Sequence, residues 1–175
     1  MVVTELLTIG HSTRSLDEFA GLLAVWRVAL LVDVRTVPRS RRNPQFNEDV
    51  LSSELAARGI AYERTKALGG WRRPVPDSPN TGWRLASFRG YADYMRTGEF
   101  ERALNALIAS ARQRRLAIMC AEAVPWRCHR SLIADALLVR GCEVRHIMTA
   151  TKAEPHRMTP FARVDGDRVT YPPVT

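Results

Sequence analysis

Apolar residues recur along this chain in two rhythms, short unbroken runs and stripes at helical spacing. Leu6–Gly10 is a short apolar run that reads as a strand. Ser15 then caps a helix in which Leu16, Phe19, Leu22, Leu23 and Trp26 share one face. Ala29–Arg35 (ALLVDVR) predicts a second, buried strand, and Asn47 or Asp49 opens a helix through Leu51, Leu55 and Ala56 that stops at Gly59. Ile60–Arg64 predicts the third strand. From Lys66 to Arg89 the pattern dissolves into Gly, Pro, Ser, Asn and Trp, a length that in a compact domain marks a functional loop or a mobile lid. Helical spacing resumes over Tyr91–Met95 and Phe100–Ala111. Leu116–Cys120 (LAIMC) predicts the fourth strand, Cys128–Arg140 a helix ending at Gly141, and Glu143–Met148 the fifth strand. The alternation predicts an α/β three-layer sandwich, a mostly parallel sheet of about five strands with helices on both faces. Residues 1–148 form the expected domain, and 149–175 read as a C-terminal extension with a hairpin turn at Asp165-Gly166.

Composition narrows the class without changing that outline. The 175 residues, 46% hydrophobic and 25% charged, suit one globular domain. The best apolar run, Val28 to Val32, is closed by Asp33, so no transmembrane helix is expected. Glu5 and the lack of a basic segment before the first apolar run argue against a secretory signal. Three cysteines, an odd number, point to reduced thiols and a cytoplasmic setting. The net charge of +8 comes from 24 Arg and only 2 Lys against 18 acidic residues. An Arg-biased composition explains part of that, while the guanidinium fork also suits phosphate and carboxylate.

Parallel sheets bind ligands beyond the carboxyl ends of their strands, and here those positions hold nearly every reactive side chain. His11, Ser12 and Thr13 follow the first strand. Asp33 and Arg35 end the second, with Arg39, Ser40, Arg41 and Arg42 beyond it. Gly69 and Gly70 follow the third, and Cys120, Glu122, Arg127, Cys128, His129 and Arg130 follow the fourth.

The segments Thr8-Ile9-Gly10-His11-Ser12, Asp33-Val34-Arg35 with Pro38 and Ser40, Leu68-Gly69-Gly70, and Cys120-Ala121-Glu122 followed by Cys128-His129-Arg130 together resemble the domain-of-unknown-function family 488. The resemblance runs from about Thr8 to about Ile147. It implies an α/β, cytoplasmic, bacterial or archaeal domain with an unassigned enzymatic activity, and it supplies a fold and a site without a reaction.

The stretch Cys120–Arg130 (CAEAVPWRCHR) carries the sharpest chemistry. A thiol at the end of a buried strand, facing a helix N-terminus and arginines, is placed to become a thiolate. A small buried packing residue is the plainer reading of Cys120, and Cys142 fits that description better. A phosphatase-type loop fits poorly, because none of the six residues between Cys120 and Arg127 is Gly, Glu122 repels phosphate and Pro125 lacks an N–H. A zinc site built from Cys120, Cys128 and His129, or His11, with a deaminase-like echo in Cys-Ala-Glu, is a second alternative.

The favoured reading is a cofactor-free, metal-free cysteine enzyme with Cys120 as nucleophile and Glu122 and His129 moving protons. His11, Ser12, Asp33, Arg35, Ser40, Gly69, Gly70, Arg127, Cys128 and Arg130 would bind the substrate. In this reading the two glycines let the backbone approach it, and Asp33 and Arg35 form an ion pair on one strand face. The expected partner is an anionic small molecule or nucleotide, with no membrane. A nucleic-acid binder is the competing class, since arginines 35, 39, 41, 42, 72, 73, 84 and 89 are interleaved with Trp71, Trp83 and Phe88. A solvated charged face is its plain alternative, and no helix-turn-helix, zinc-finger or RRM signature accompanies it.

Overall fold

In the computed structural model, which describes residues 2–175, a six-stranded sheet runs in the order β3-β2-β4-β1-β5-β6. The strands are β1 (Glu5–Gly10), β2 (Leu30–Asp33), β3 (Ala61–Arg64), β4 (Leu116–Cys120), β5 (Glu143–Ile147) and β6 (Ala153–Pro155). The first five are mutually parallel, and β6 pairs antiparallel with β5 at the edge. The architecture is therefore α/β as the apolar rhythm predicts, with one strand more than the five expected. That strand, β6, alternates no apolar residues and is recruited by pairing alone.

Helices α1 (Leu16–Val25), α2 (Glu48–Ala57), α3 (Ala86–Tyr94), α4 (Gly98–Gln113) and α5 (Arg130–Val139) cover the two faces. Ser15 accepts from the Glu18 N–H and starts α1, and Thr97 does the same for α4 through Phe100. Successive strand residues point to opposite faces. Leu116, Ile118 and Cys120 of β4 join the core with α3, α4 and α5, whereas Ala117 and Met119 join α1 and α2 on the other side. Cys120 thus faces the side of α5, whose first residue is Arg130.

Strand order explains where chemistry collects. β1 and β2 are consecutive in the chain but lie on either side of β4, so the ends of β1, β2 and β4 emerge side by side. Gly10 is required at this edge. A Cβ there would lie 1.8 Å from the Glu122 carbonyl oxygen, because β1 ends against the loop that follows β4. The His11 and Ser12 N–H groups close that contact by donating to the Cys120 and Ala121 carbonyls.

Two segments differ from expectation. The irregular stretch from Lys66 is shorter than predicted, since α3 begins at Ala86. It is also tied down: the Asp93 carboxylate, buried on α3, accepts from the Val75 N–H, the Ser78 hydroxyl and the Asn80 amide. Residues after Met148 supply β6 and then a hairpin of β7 (Arg163–Asp165) and β8 (Arg168–Thr170), turning at Gly166 with φ +62°. Beyond it the fully buried Tyr171 donates its hydroxyl to Asp135 of α5 at 2.8 Å.

Candidate active site

The strand ends surround an open cavity of about 700 Å³. Of the thirteen site residues expected from sequence, Cys120, Glu122, His129, His11, Ser12, Arg35, Ser40, Gly70, Arg127 and Cys128 line it, together with Thr13, Thr36, Arg39, Asn43, Trp71 and Phe88, among others. Asp33, Gly69 and Arg130 do not line it and act behind its wall.

One side is a fixed cation. Arg35 is buried, and its Nε and Nη2 meet both oxygens of the fully buried Asp33, with Nη2 at 2.7 Å. The Arg35 N–H and the Tyr62 hydroxyl also donate to that carboxylate. Asp33 therefore fixes the Arg35 guanidinium and does not itself line the cavity. His11 completes the cradle: its Nδ1–H donates to the Ser12 carbonyl at 2.8 Å, which leaves Nε2 to face Arg35 Nη1 at 3.5 Å. Burial, with Arg35 adding to it, lowers the His11 pKa to about 4, so the ring is neutral at pH 7 and stacks on Phe46. A guanidinium held this way loses little freedom on meeting an anion.

The opposite side holds two thiols. Cys120 and Cys128 place their sulfurs 2.6 Å apart, Cys120 Sγ also approaches the Glu122 carbonyl at 3.8 Å, and Cys128 Sγ receives the Arg130 N–H at 3.4 Å. The helix begins at Arg130 rather than at Cys128 as the periodicity predicts, so the Cys128 sulfur sits at its N-terminus. Burial is the largest influence on both thiols and opposes ionisation. At Cys120 the hydrogen bond and charge of Cys128 add to it and push the pKa well up. At Cys128 the hydrogen bonds from Cys120 and His129, with the charges of His129 and Arg130, outweigh burial and hold the pKa well below the ordinary thiol range. The two thiols thus form one pair, in which the helix N-terminus and His129 lie on the Cys128 side.

His129 is locked from three directions. Its Nε2–H donates to the Val34 carbonyl at 2.9 Å, leaving Nδ1 to face Cys128 Sγ at 3.5 Å, and Tyr91 packs 5.0 Å from its ring. Gly70 fits against the same ring, where a Cβ would come within 2.6 Å of Nδ1. Gly69 packs in turn against Thr36. Both glycines let the backbone pack closely, Gly70 against His129 and Gly69 against Thr36, and Gly70 also lines the cavity.

Arg130 is almost wholly buried and spends its guanidinium on the Glu122 carbonyl and the Thr8 hydroxyl, so it shapes the loop and its charge acts on the thiols. Glu122 contributes that backbone oxygen while its side chain is exposed, and Arg127 is an exposed cation on the rim. Ser40 orders its own loop through Asn43 and Asn47.

A single family model, described as "Domain of unknown function DUF488", matches residues 15–137. The chain belongs to the DUF488 family. The matched span of this DUF488 chain includes Asp33-Val34-Arg35, Leu68-Gly69-Gly70 and the whole Cys120–Arg130 stretch, and begins just after His11 and Ser12. No curated protein and no solved structure matches it.

Of the competing expectations, the nucleic-acid footprint is thinned by the fold. Arg72 donates to the Gly69 carbonyl and stacks over Tyr94, and Arg89 donates to the Trp83 carbonyl. Trp83 itself packs with Phe88, Phe161 and Tyr171. Trp71, 76% exposed, remains as an aromatic surface at the cavity rim. Among the described residues no group of three or more His, Cys, Asp and Glu is arranged to hold a metal ion, and no helix is long and apolar enough to cross a membrane. Side chains overlooked in the sequence, Tyr62, Thr36 and Tyr91, act through folding alone, so no local signal marked them.

Proposed function

We propose that this DUF488 domain is a cysteine-dependent enzyme in which Cys128 attacks an electrophilic centre of a small substrate bearing phosphate or carboxylate. The observation that carries the reading is the Cys128 sulfur, which meets the Cys120 thiol, the Arg130 N–H and His129 Nδ1 inside a cavity whose other wall is the Arg35 guanidinium. His129 Nδ1 takes the thiol proton, the sulfur forms a bond to the substrate, and the proton returns to the departing group. Arg35 and Arg127 hold the anionic part, and neutral His11 keeps Arg35 aimed.

Two alkylating reagents test this reading. Iodoacetamide, which is neutral, is expected to modify Cys128 well below the free-thiol pKa of ~8.5, while Cys142, whose pKa burial raises, stays unmodified. Iodoacetate, which is anionic, should be favoured at Cys128 relative to its rate with free cysteine, and Arg127→Gln should reduce that preference. A Cys128 that reacts only above pH 8.5, or with no preference for the anion, would remove the proposal.

A further inference from the structure

The two thiols of the cavity come from different elements, one from the last residue of β4 and the other from two residues before α5. Each is anchored separately. Cys120 pairs with Gly10 and its carbonyl accepts from His11, while the Cys128 N–H donates to the Pro125 carbonyl. Their sulfurs stand about 0.6 Å farther apart than in a disulfide bond. The exposed segment Ala121–Ala123 between them can absorb so small a shift. The proposed reaction uses Cys120 only as a hydrogen-bond partner of Cys128 and leaves its own sulfur free to react. Cys142 lies in the core near Val144 and outside the cavity, so the arrangement is particular to this pair.

We propose that Cys120 and Cys128 form a dithiol–disulfide couple that reduces a hydroperoxide entering the cavity, and that the oxidised pair switches off the nucleophile until a thiol reductant restores it. This rests on Cys128 as the attacking thiolate of the proposed function. In the first step Cys128 sulfur bonds to the terminal oxygen of ROOH and the O–O bond breaks. The departing RO⁻ takes the proton that Cys128 released, giving ROH and a sulfenic acid. In the second step Cys120 sulfur attacks the sulfenic sulfur, the S–S bond forms and the S–O bond breaks. The hydroxide leaves with the Cys120 proton as water. Two thiols are oxidised, one peroxide is reduced, and a low-molecular-weight dithiol such as dithiothreitol reverses the change.

The pair is well placed for analysis, because trypsin separates Cys120, in residues 116–127, from Cys128, in residues 128–130. One equivalent of hydrogen peroxide on the reduced full chain is expected to consume two of the three thiols and link those two peptides, with Cys142 left free. With dithiothreitol in excess, peroxide should be consumed continuously, and Cys128→Ser should lower the rate to that of dithiothreitol alone. Cys120→Ala should let Cys128 proceed to sulfinic acid. Recovery of Cys128 as sulfinic acid with Cys120 still reduced in the unaltered chain would overturn the couple, as would resistance of both thiols to peroxide. Either result, if iodoacetamide still modifies Cys128 near neutral pH, leaves the nucleophile reading standing. Failure of that alkylation removes the nucleophile instead.

Discussion

Gly70 shows how narrowly the reactive side of the cavity is drawn. A methyl group there would meet the His129 ring, which cannot swing away without giving up the Val34 carbonyl and its packing on Tyr91. Gly70→Ala is therefore expected to cost roughly 1–3 kcal/mol through overpacking. It should also slow alkylation of Cys128 at neutral pH, as Nδ1 leaves the sulfur. Normal Cys128 reactivity in a folded Gly70→Ala variant, measured beside a denaturant melt, would show that His129 does not set the thiol. At this scale the sequence was partly readable. Strand ends collect reactive side chains, and that rule found Arg35, His11 and both cysteines. Periodicity starts the last helix at Cys128, two residues before its observed start at Arg130, and only the observed start leaves the Cys128 sulfur facing a helix N-terminus. Asp33 and Arg130, expected among the binding groups, stand behind the cavity wall with their charges on protein partners.

Among the elements, the long connection from β3 to α3 is where local pattern misleads most. Its Gly, Pro and Ser content reads as a lid, yet Asp93, in the last turn of α3, gathers three donors from it. Nothing near Asp93 in the chain announces this, because its partners lie 13 to 18 residues upstream. By contrast the helix start at Ser15 and the apolar strand β4 depend on neighbours only. They were legible for that reason. Asp93→Ala removes all three bonds and leaves the buried Asn80 amide donor without its partner, at a cost of about 1–3 kcal/mol. The connection should then be cut faster by trypsin after Arg72 or Arg84, while the circular dichroism of the sheet and helices is retained. Unchanged cleavage would mean that packing, not Asp93, secures it.

For the whole molecule, two buried histidines tie stability to acidity. Burial, with Arg35, holds His11 near 4, and burial, with His156 and Arg130, holds His146 near 3. In the unfolded chain both take a proton near pH 6.5. Between 6.5 and about 4 the unfolded state therefore binds more protons than the folded one, and stability falls as pH falls. The His146 contribution continues to decline toward pH 3. Urea melts are expected to be level above pH 7 and to shift steadily lower from pH 6.5 to 4, less steeply in a His11→Gln variant; midpoints that hold or rise on acidification would contradict this. His146 is part of a buried chain in which Thr8, His146, His156 and Asp135 follow one another at 2.6, 2.9 and 2.7 Å, with Tyr171 and Thr159 also on Asp135. Acid thus loosens the grip of the last thirty residues on the sheet as well as the cavity wall. The strand order has its own consequence for how the protein is made. β1 and β2 never touch, since β4 lies between them. β1 can pair only with strands that begin at Leu116 or later. During synthesis β1 waits with both hydrogen-bonding edges open, a state that invites edge-to-edge association. A nascent chain of this topology gains from a chaperone until Leu116–Cys120 fills the gap between β1 and β2 and Glu143–Ile147 covers the other edge of β1, and the strand that fills the gap delivers the first of the two thiols.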